Sequence, residues 1–135
     1  MTLTAYEMKN TLSDFLKEHG MGTATMTFLA GDASPRQYFR LKQPPHTFVL
    51  MSTPASEKPQ QFIDIATLLT SHGFSAPQII GHNLADGFIL LEDLQDNTFT
   101  SVLKVTPQQA SSLYTLATDT LIELAQTFHS KPPLI

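Results

Sequence analysis

The sequence predicts an α+β fold: an antiparallel sheet of about five strands, with one helix before it, one between its third and fourth strands and a long one after it. Three features of the chain lead there. Between residues 23 and 51, three short runs rich in apolar, aromatic and β-branched residues are joined by links of Gly, Asp, Ser and Pro that favour turns. Two more runs of this kind, 77–82 and 87–92, follow a stretch whose apolar residues recur at helical spacing. Strands joined by such short links pair as antiparallel neighbours.

Each element has its own signals. Thr4 and Glu7 form a T-x-x-E capping box, Met8, Leu12, Phe15 and Leu16 then share one helix face, and Gly20 suits the left-handed residue after the last turn. The strand runs are 23–29, 36–41 and 47–51; in the second, Phe39 and Leu41 alternate with Tyr38 and Arg40. A helix is expected over 58–72, with Pro59 in its first turn, Phe62, Ile65, Ala66 and Leu69 as its buried stripe and Gly73 at its end. Strands 77–82 and 87–92 flank a turn at 83–86, and the polar segment 95–105 has room for one short helix. Thr106, Pro107 and Gln109 supply an N-cap, an N1 proline and a T-x-x-Q box for the last helix. Ala110, Leu113, Tyr114, Ala117, Leu121, Leu124, Ala125 and Phe128 give that helix one apolar stripe. Its expected length is about six turns, roughly 35 Å.

Composition narrows the function. With 41% hydrophobic and 15% charged residues in 135, the chain has the make-up of a folded domain, not of a disordered segment. A net charge of −4, and aromatics that follow core spacing without interleaved basic residues, argue against nucleic acid as a partner. No apolar run reaches the roughly 20 residues of a membrane span, and the N-terminus does not read as a signal peptide. The absence of cysteine rules out disulfides, thiolate metal sites and cysteine nucleophiles, and is compatible with a cytoplasmic location. His19, His46, His72, His82 and His129 show no metal-ligand spacing and fall at helix ends or turns. No nucleophile elbow, Walker loop or dinucleotide fingerprint is present.

Four stretches carry a resemblance. They are LAGDASPRQYFRL (29–41), FVLM (48–51), HGFSAPQII (72–80) and GFILLEDL (87–94). Together they resemble the aminoglycoside phosphotransferase family of small-molecule kinases; the GDAS…R-x-Y-x-R and FVLM forms are most similar to its bacterial N-acetylmuramate/N-acetylglucosamine anomeric kinase branch. The resemblance covers nearly the whole chain. It implies a protein-kinase-like small lobe over 1–94, with a helix equivalent to αC. Residues 95–135 would then hold the linker and the first helix of the large lobe.

It also implies roles. Gly31, Asp32, Ser34 and Arg36 would form the turn over the nucleotide phosphates, where a glycine allows close approach, a hydroxyl can donate and a guanidinium can pair. Phe39, Val49, Met51 and Leu91 would flank the nucleotide, and the backbone of Glu92, Asp93 and Leu94 would meet the adenine edge as a hinge. Read without the resemblance, 31–36 is an ordinary hairpin turn with a solvated arginine, and 92–93 a strand end with two exposed acids. The implied cofactor is ATP or GTP with Mg²⁺, and the implied acceptor a small-molecule hydroxyl, that of an amino sugar in this branch.

The chain departs from the family pattern in three places. The third strand lacks the phosphate-gripping lysine and has Met51 instead, leaving Arg36 or Arg40 to supply the charge. Gln60 and Gln61 stand where an acid would pair with that lysine. Neither family aspartate, the one that positions the acceptor and the one that holds Mg²⁺, is present, since both belong to the large lobe; Asp119 and Glu123 fall within the long helix. The expectation is therefore an N-terminal piece, inactive alone, with no catalytic or metal-binding residue of its own. The alternative is a non-catalytic binding, regulatory or self-associating module, paired through the apolar face of the long helix.

Overall fold

A computed structural model describes residues 5–31 and 33–129, with side chains from residue 11 onward. It has two compact units, Met1–Asp93 and Leu94–Ile135. The first holds helix α1 (Ala5–Glu18), strands β1 (Thr25–Gly31), β2 (Gln37–Gln43) and β3 (His46–Ser52), helix α2 (Pro59–Ser71), and strands β4 (Ile79–Asn83) and β5 (Phe88–Glu92). The strands form one five-stranded sheet in the order β1-β2-β3-β5-β4, every neighbouring pair antiparallel. The α+β class expected from the sequence is the one observed, and it matches a kinase-like small lobe. Thr4 and the side chains of Glu7 and Met8, which carried the first capping signal, lie outside the described residues.

Both helices of this unit return the chain to the sheet by the same device. After α1, the Gly20 amide donates to the Lys17 carbonyl at 3.0 Å and the Met21 amide to Leu16 at 2.7 Å; after α2, Gly73 and Phe74 repeat this with Thr70 and Leu69 at 3.1 and 3.0 Å. Gly20 and Gly73 have φ of 73° and 84°, the left-handed conformation that glycine adopts without a Cβ clash.

Alternation along the strands builds two separate cores. Leu41, Leu50, Phe88 and Leu90 point to one face, where Phe15 and Met21 complete a buried cluster flanked by Leu12, Leu16, Phe39 and Phe48. Met51, Ile89 and Leu91 point to the other, against Tyr38, Val49 and the α2 residues Phe62 and Ile63. Each fully buried Leu or Ile here contributes about 1.5–3 kcal/mol relative to exposure. The α2 stripe read from sequence needs one change: Ala66 is buried, but Ile65 is 39% exposed while Ile63 packs on the sheet. The helix is rotated so that its Phe62–Ile63 edge, not its Ile65 edge, meets the strands.

Strand β1 is the sheet's edge on one side. Every residue of β1 is exposed, and Met26 and Phe28 are 45% and 58% accessible.

The second unit contains helices α3 (Phe99–Val105) and α4 (Ala110–Phe128). The cap expected at Thr106 does not form. Thr106 has φ −133° and ψ 74°, its side chain makes no cap bond, and 107–109 tighten into a 3₁₀ turn, so α4 starts at Ala110. With 19 residues it is roughly 28 Å long, shorter than expected. The working threonine cap is Thr98, whose hydroxyl oxygen accepts from the Ser101 amide at 3.2 Å. Among the described residues no helix is long and apolar enough to cross a membrane.

Candidate functional site

The register of β2, β3 and β5 lines up two rows on the α2 face of the sheet. Tyr38 pairs with Met51 and Met51 with Ile89; Arg40 pairs with Val49 and Val49 with Leu91. Tyr38, Arg40 and Val49 are half-buried, whereas Met51 and Leu91 are 0% and 4% exposed. Val49 therefore offers accessible apolar surface, and Met51 and Leu91 pack beside it on the same face. Met51, at the position of the missing lysine, is packed among Ile89, Leu91, Phe62 and Ile63. An ammonium there would be desolvated, and Asp64, the acid of α2, is exposed and accepts from Gln60 at 2.8 Å.

Phe39 does not join this row. Strand alternation sends it to the opposite face, where it packs on the α1-side core and meets Phe28 edge-on at 5.7 Å between centroids. It cannot wall the same ring as Val49 and Leu91.

The far end of the row closes on an ion pair. Arg40 Nε donates to Asp93 Oδ2 at 2.8 Å and Arg40 Nη2 to Asp93 Oδ1 at 3.1 Å, a two-pronged contact. The Asp93 side chain is 2% exposed and that of Arg40 14%. Removing one partner of such a buried pair typically costs about 3–5 kcal/mol, because the other is left charged and unanswered. Asp93 is thus a buried acid committed to Arg40, not the exposed acid of the plain reading, and Arg40 is not an uncompensated cation. Glu92 is engaged as well: its amide donates to the Gln78 carbonyl at 2.9 Å, and its Oε2 accepts from the Gln78 amide at 3.1 Å. Leu94 opens the second unit and is 57% exposed.

The loop residues lie at the other end of β2. Three residues separate Gln37 from Arg40, about 10 Å along the strand. Gly31 closes the β1–β2 ladder opposite Gln37, and a Cβ there would meet Arg36 O and Phe28 at an ordinary 3.9 Å, so no described residue demands glycine at this position. Asp32 lies outside the described residues. The Ser34 hydroxyl oxygen accepts from the Arg36 amide at 3.3 Å, which shapes the loop from within. Arg36 turns toward α2: its Nη2 donates to the Glu57 carbonyl at 2.8 Å, and its Cζ lies 5.8 Å from the Phe62 ring centroid.

The structure thus brings together Arg40, Val49, Leu91 and Asp93, places Arg36 and Ser34 at the other end of the same strand, and sets Phe39 apart. Sequence reasoning missed Glu57 and Phe62 as partners of Arg36, and the Arg40–Asp93 pair. Parity along β2 was the one available signal, since it puts Arg40 on the face opposite Phe39.

Three of the histidines serve helix ends, whereas His46 opens β3 and His82, expected at a turn, lies within β4 opposite Ile89. The Nδ1 atoms of His19, His72 and His129 each lie 2.9 Å from a carbonyl in their own last turn, those of Phe15, Leu68 and Gln126. Among the described residues no group of three or more His, Asp or Glu could hold a metal ion. With Asp93 on Arg40 and Glu92 on Gln78, these residues do not fit a Mg²⁺ site.

The chain is similar to the N-acetylmuramate/N-acetylglucosamine kinase of Pseudomonas aeruginosa, 36% identical over 94 residues, 69% of this chain and 27% of that protein. It is 32% identical over 116 residues to the enzyme of the same name from Pseudomonas putida, 83% of this chain and 34% of that one. A third, from Caulobacter vibrioides, is 26% identical over 152 aligned positions, 92% of this chain and 41% of that protein. The chain therefore spans about a quarter to two fifths of the length of these relatives. A family model, that of the phosphotransferase enzyme family, matches residues 25–134, and the chain belongs to that family.

Proposed function

We propose that this chain is the nucleotide-binding lobe of a phosphotransferase that moves the γ-phosphoryl group of ATP or GTP to a hydroxyl of an amino sugar. The observation that carries the reading is the α2 face of the sheet. Half-buried Val49 offers a flat apolar patch flanked by Leu91 and Met51, the strand end at Asp93 lies beside it, and the 33–36 loop lies about 10 Å along β2. A nucleotide laid along β2 would set its base on Val49 and its phosphates toward Ser34 and Arg36. The backbone beside Asp93 would meet the base edge; the Glu92 amide is already bonded to Gln78. The lobe is 1–94 in this reading, and 95–135 begins the next. An amino-sugar acceptor follows from the names of the similar enzymes. In a cytoplasmic enzyme of this kind, Mg²⁺ would supply neutralisation of the phosphate charge and a carboxylate would position the acceptor, and none of the residues described above is assigned to hold the metal.

By this reading the 135-residue chain binds nucleotide weakly and turns none over. Asp93 and Glu92 are committed within the sheet, Asp64 and Asp86 are bonded to Gln60 and Asn83, and Asp119 and Glu123 are exposed on α4. Titration with an ATP analogue, alongside an assay for sugar-dependent ATP turnover, tests both halves. Turnover by the pure chain would sink the inactivity, and an absence of binding at millimolar analogue would sink the nucleotide site.

A second reading, a module that associates with itself through α4, is favoured by Tyr114, Leu116, Leu121 and Ile122, which are 51–66% exposed on that helix. A monomeric sedimentation profile at high concentration would remove it.

A further inference from the structure

A nucleotide's phosphates need a fixed cation, and the strand position that a lysine would occupy is the fully buried Met51. We propose that Arg36 takes over this task, reaching from the neighbouring strand to hold the nucleotide's phosphates; the assignment rests on the nucleotide-binding reading above.

Register places it correctly. Tyr38 pairs with Met51 and Gln37 with Ser52, so Arg36 stands two residues from the position opposite Met51. Such diagonal neighbours are about 7–8 Å apart, within reach of a long side chain. The stacking of Arg36 on Phe62, itself packed on the Met51 cluster, shows that the guanidinium lies on that same face.

The choice between the two arginines follows from their partners. Arg40 is neutralised by the buried Asp93 carboxylate. Arg36 has a backbone carbonyl and an aromatic face, and among the described residues no carboxylate pairs with it, so its charge stays available while its position is held. Arg36 Nε is buried with no hydrogen-bond partner, a penalty that a purely structural arginine would be expected to avoid. The side chain lies at one wall of a cavity of about 300 Å³, with Glu57, Lys58 and Gln61 as its other polar lining and apolar residues of α2, Ala76 and Pro77 as the rest. Two cations and one carboxylate line it, and a neutral amide can donate alongside them.

The test is a nuclear magnetic resonance titration of the 135-residue chain with ATP and, separately, with adenosine. ATP should shift the Arg36 Nε–H resonance and adenosine should not. Arg36→Gln should lower ATP affinity roughly 10- to 100-fold, as loss of a charge-assisted contact implies, and leave adenosine affinity within about twofold. Arg36→Lys should fall between the two. Unchanged ATP affinity in Arg36→Gln would overturn the assignment, and so would an equal loss for adenosine, which would make Arg36 a holder of the fold. If Arg36→Gln does not fold, the wild-type resonance decides: a shift with ATP alone supports the assignment and no shift overturns it. A wild-type chain that binds neither compound would overturn the nucleotide reading itself, and the assignment with it.

Discussion

On the α1 face of the sheet, Leu41, Leu50, Phe88 and Leu90 pack under Phe15 and Met21 with no charged side chain in the cluster. On the α2 face, one residue further along the same strands, Met51, Ile89 and Leu91 share their surroundings with Tyr38, Arg36 and the Arg40–Asp93 pair. Burial of apolar area alone stabilises the first face. A buried ion pair is a poor way to stabilise the second, because desolvation offsets much of the attraction. Polar side chains on a half-buried sheet face are therefore better explained by what that face holds than by what holds the sheet.

Four single substitutions and one double change put the contrast at risk. The largest effect is expected on the mixed face: Asp93→Ala should destabilise the chain by about 3–5 kcal/mol, by leaving Arg40 buried without its partner. The double change Arg40→Leu with Asp93→Leu should recover most of that loss in urea unfolding; if it proves as unstable as the single change, the pair stabilises far more than supposed. On the apolar face, Leu50→Ala should cost about 2–5 kcal/mol at unchanged adenosine affinity, because Leu50 is 1% exposed and points to the sheet face opposite Val49. A matching fall in adenosine affinity, measured at a temperature where the variant is folded, would mean that the faces do not act separately. The smallest effect separates two residues that sequence had grouped. Val49→Ala should weaken adenosine binding by about 1 kcal/mol or less, and Phe39→Leu should leave it unchanged. Weakening by Phe39→Leu alone would put the base on the wrong face.

The element order was legible because it rests on local patterns: alternation in 37–43, the proline at the start of α2, and the glycines that close α1 and α2. Capping was half legible. The sequence signal at Thr106 does not become a cap, and the working cap at Thr98 carries no signal that was read. The site was less legible, since its defining contacts are distant in sequence. Arg40 and Asp93 are 53 residues apart, and Arg36 reaches Glu57 across 21. No period or spacing encodes such meetings. The misplacement of Phe39 was avoidable, because the alternation that puts it with Leu41 also removes it from Val49's side.

The exposed strand β1 has a consequence for handling the protein. From Thr25 to Gly31 it carries no charge and no proline, and among the described residues it pairs with β2 alone, so its outer row of backbone amides and carbonyls faces outward. Natural edge strands are commonly guarded by a lysine, a proline or a pronounced twist against just such a geometry. Here the irregularity between Phe28 and Ala30 is the one interruption of the edge ladder. In concentrated solution, this strand offers another chain a backbone template that needs no matching side chains.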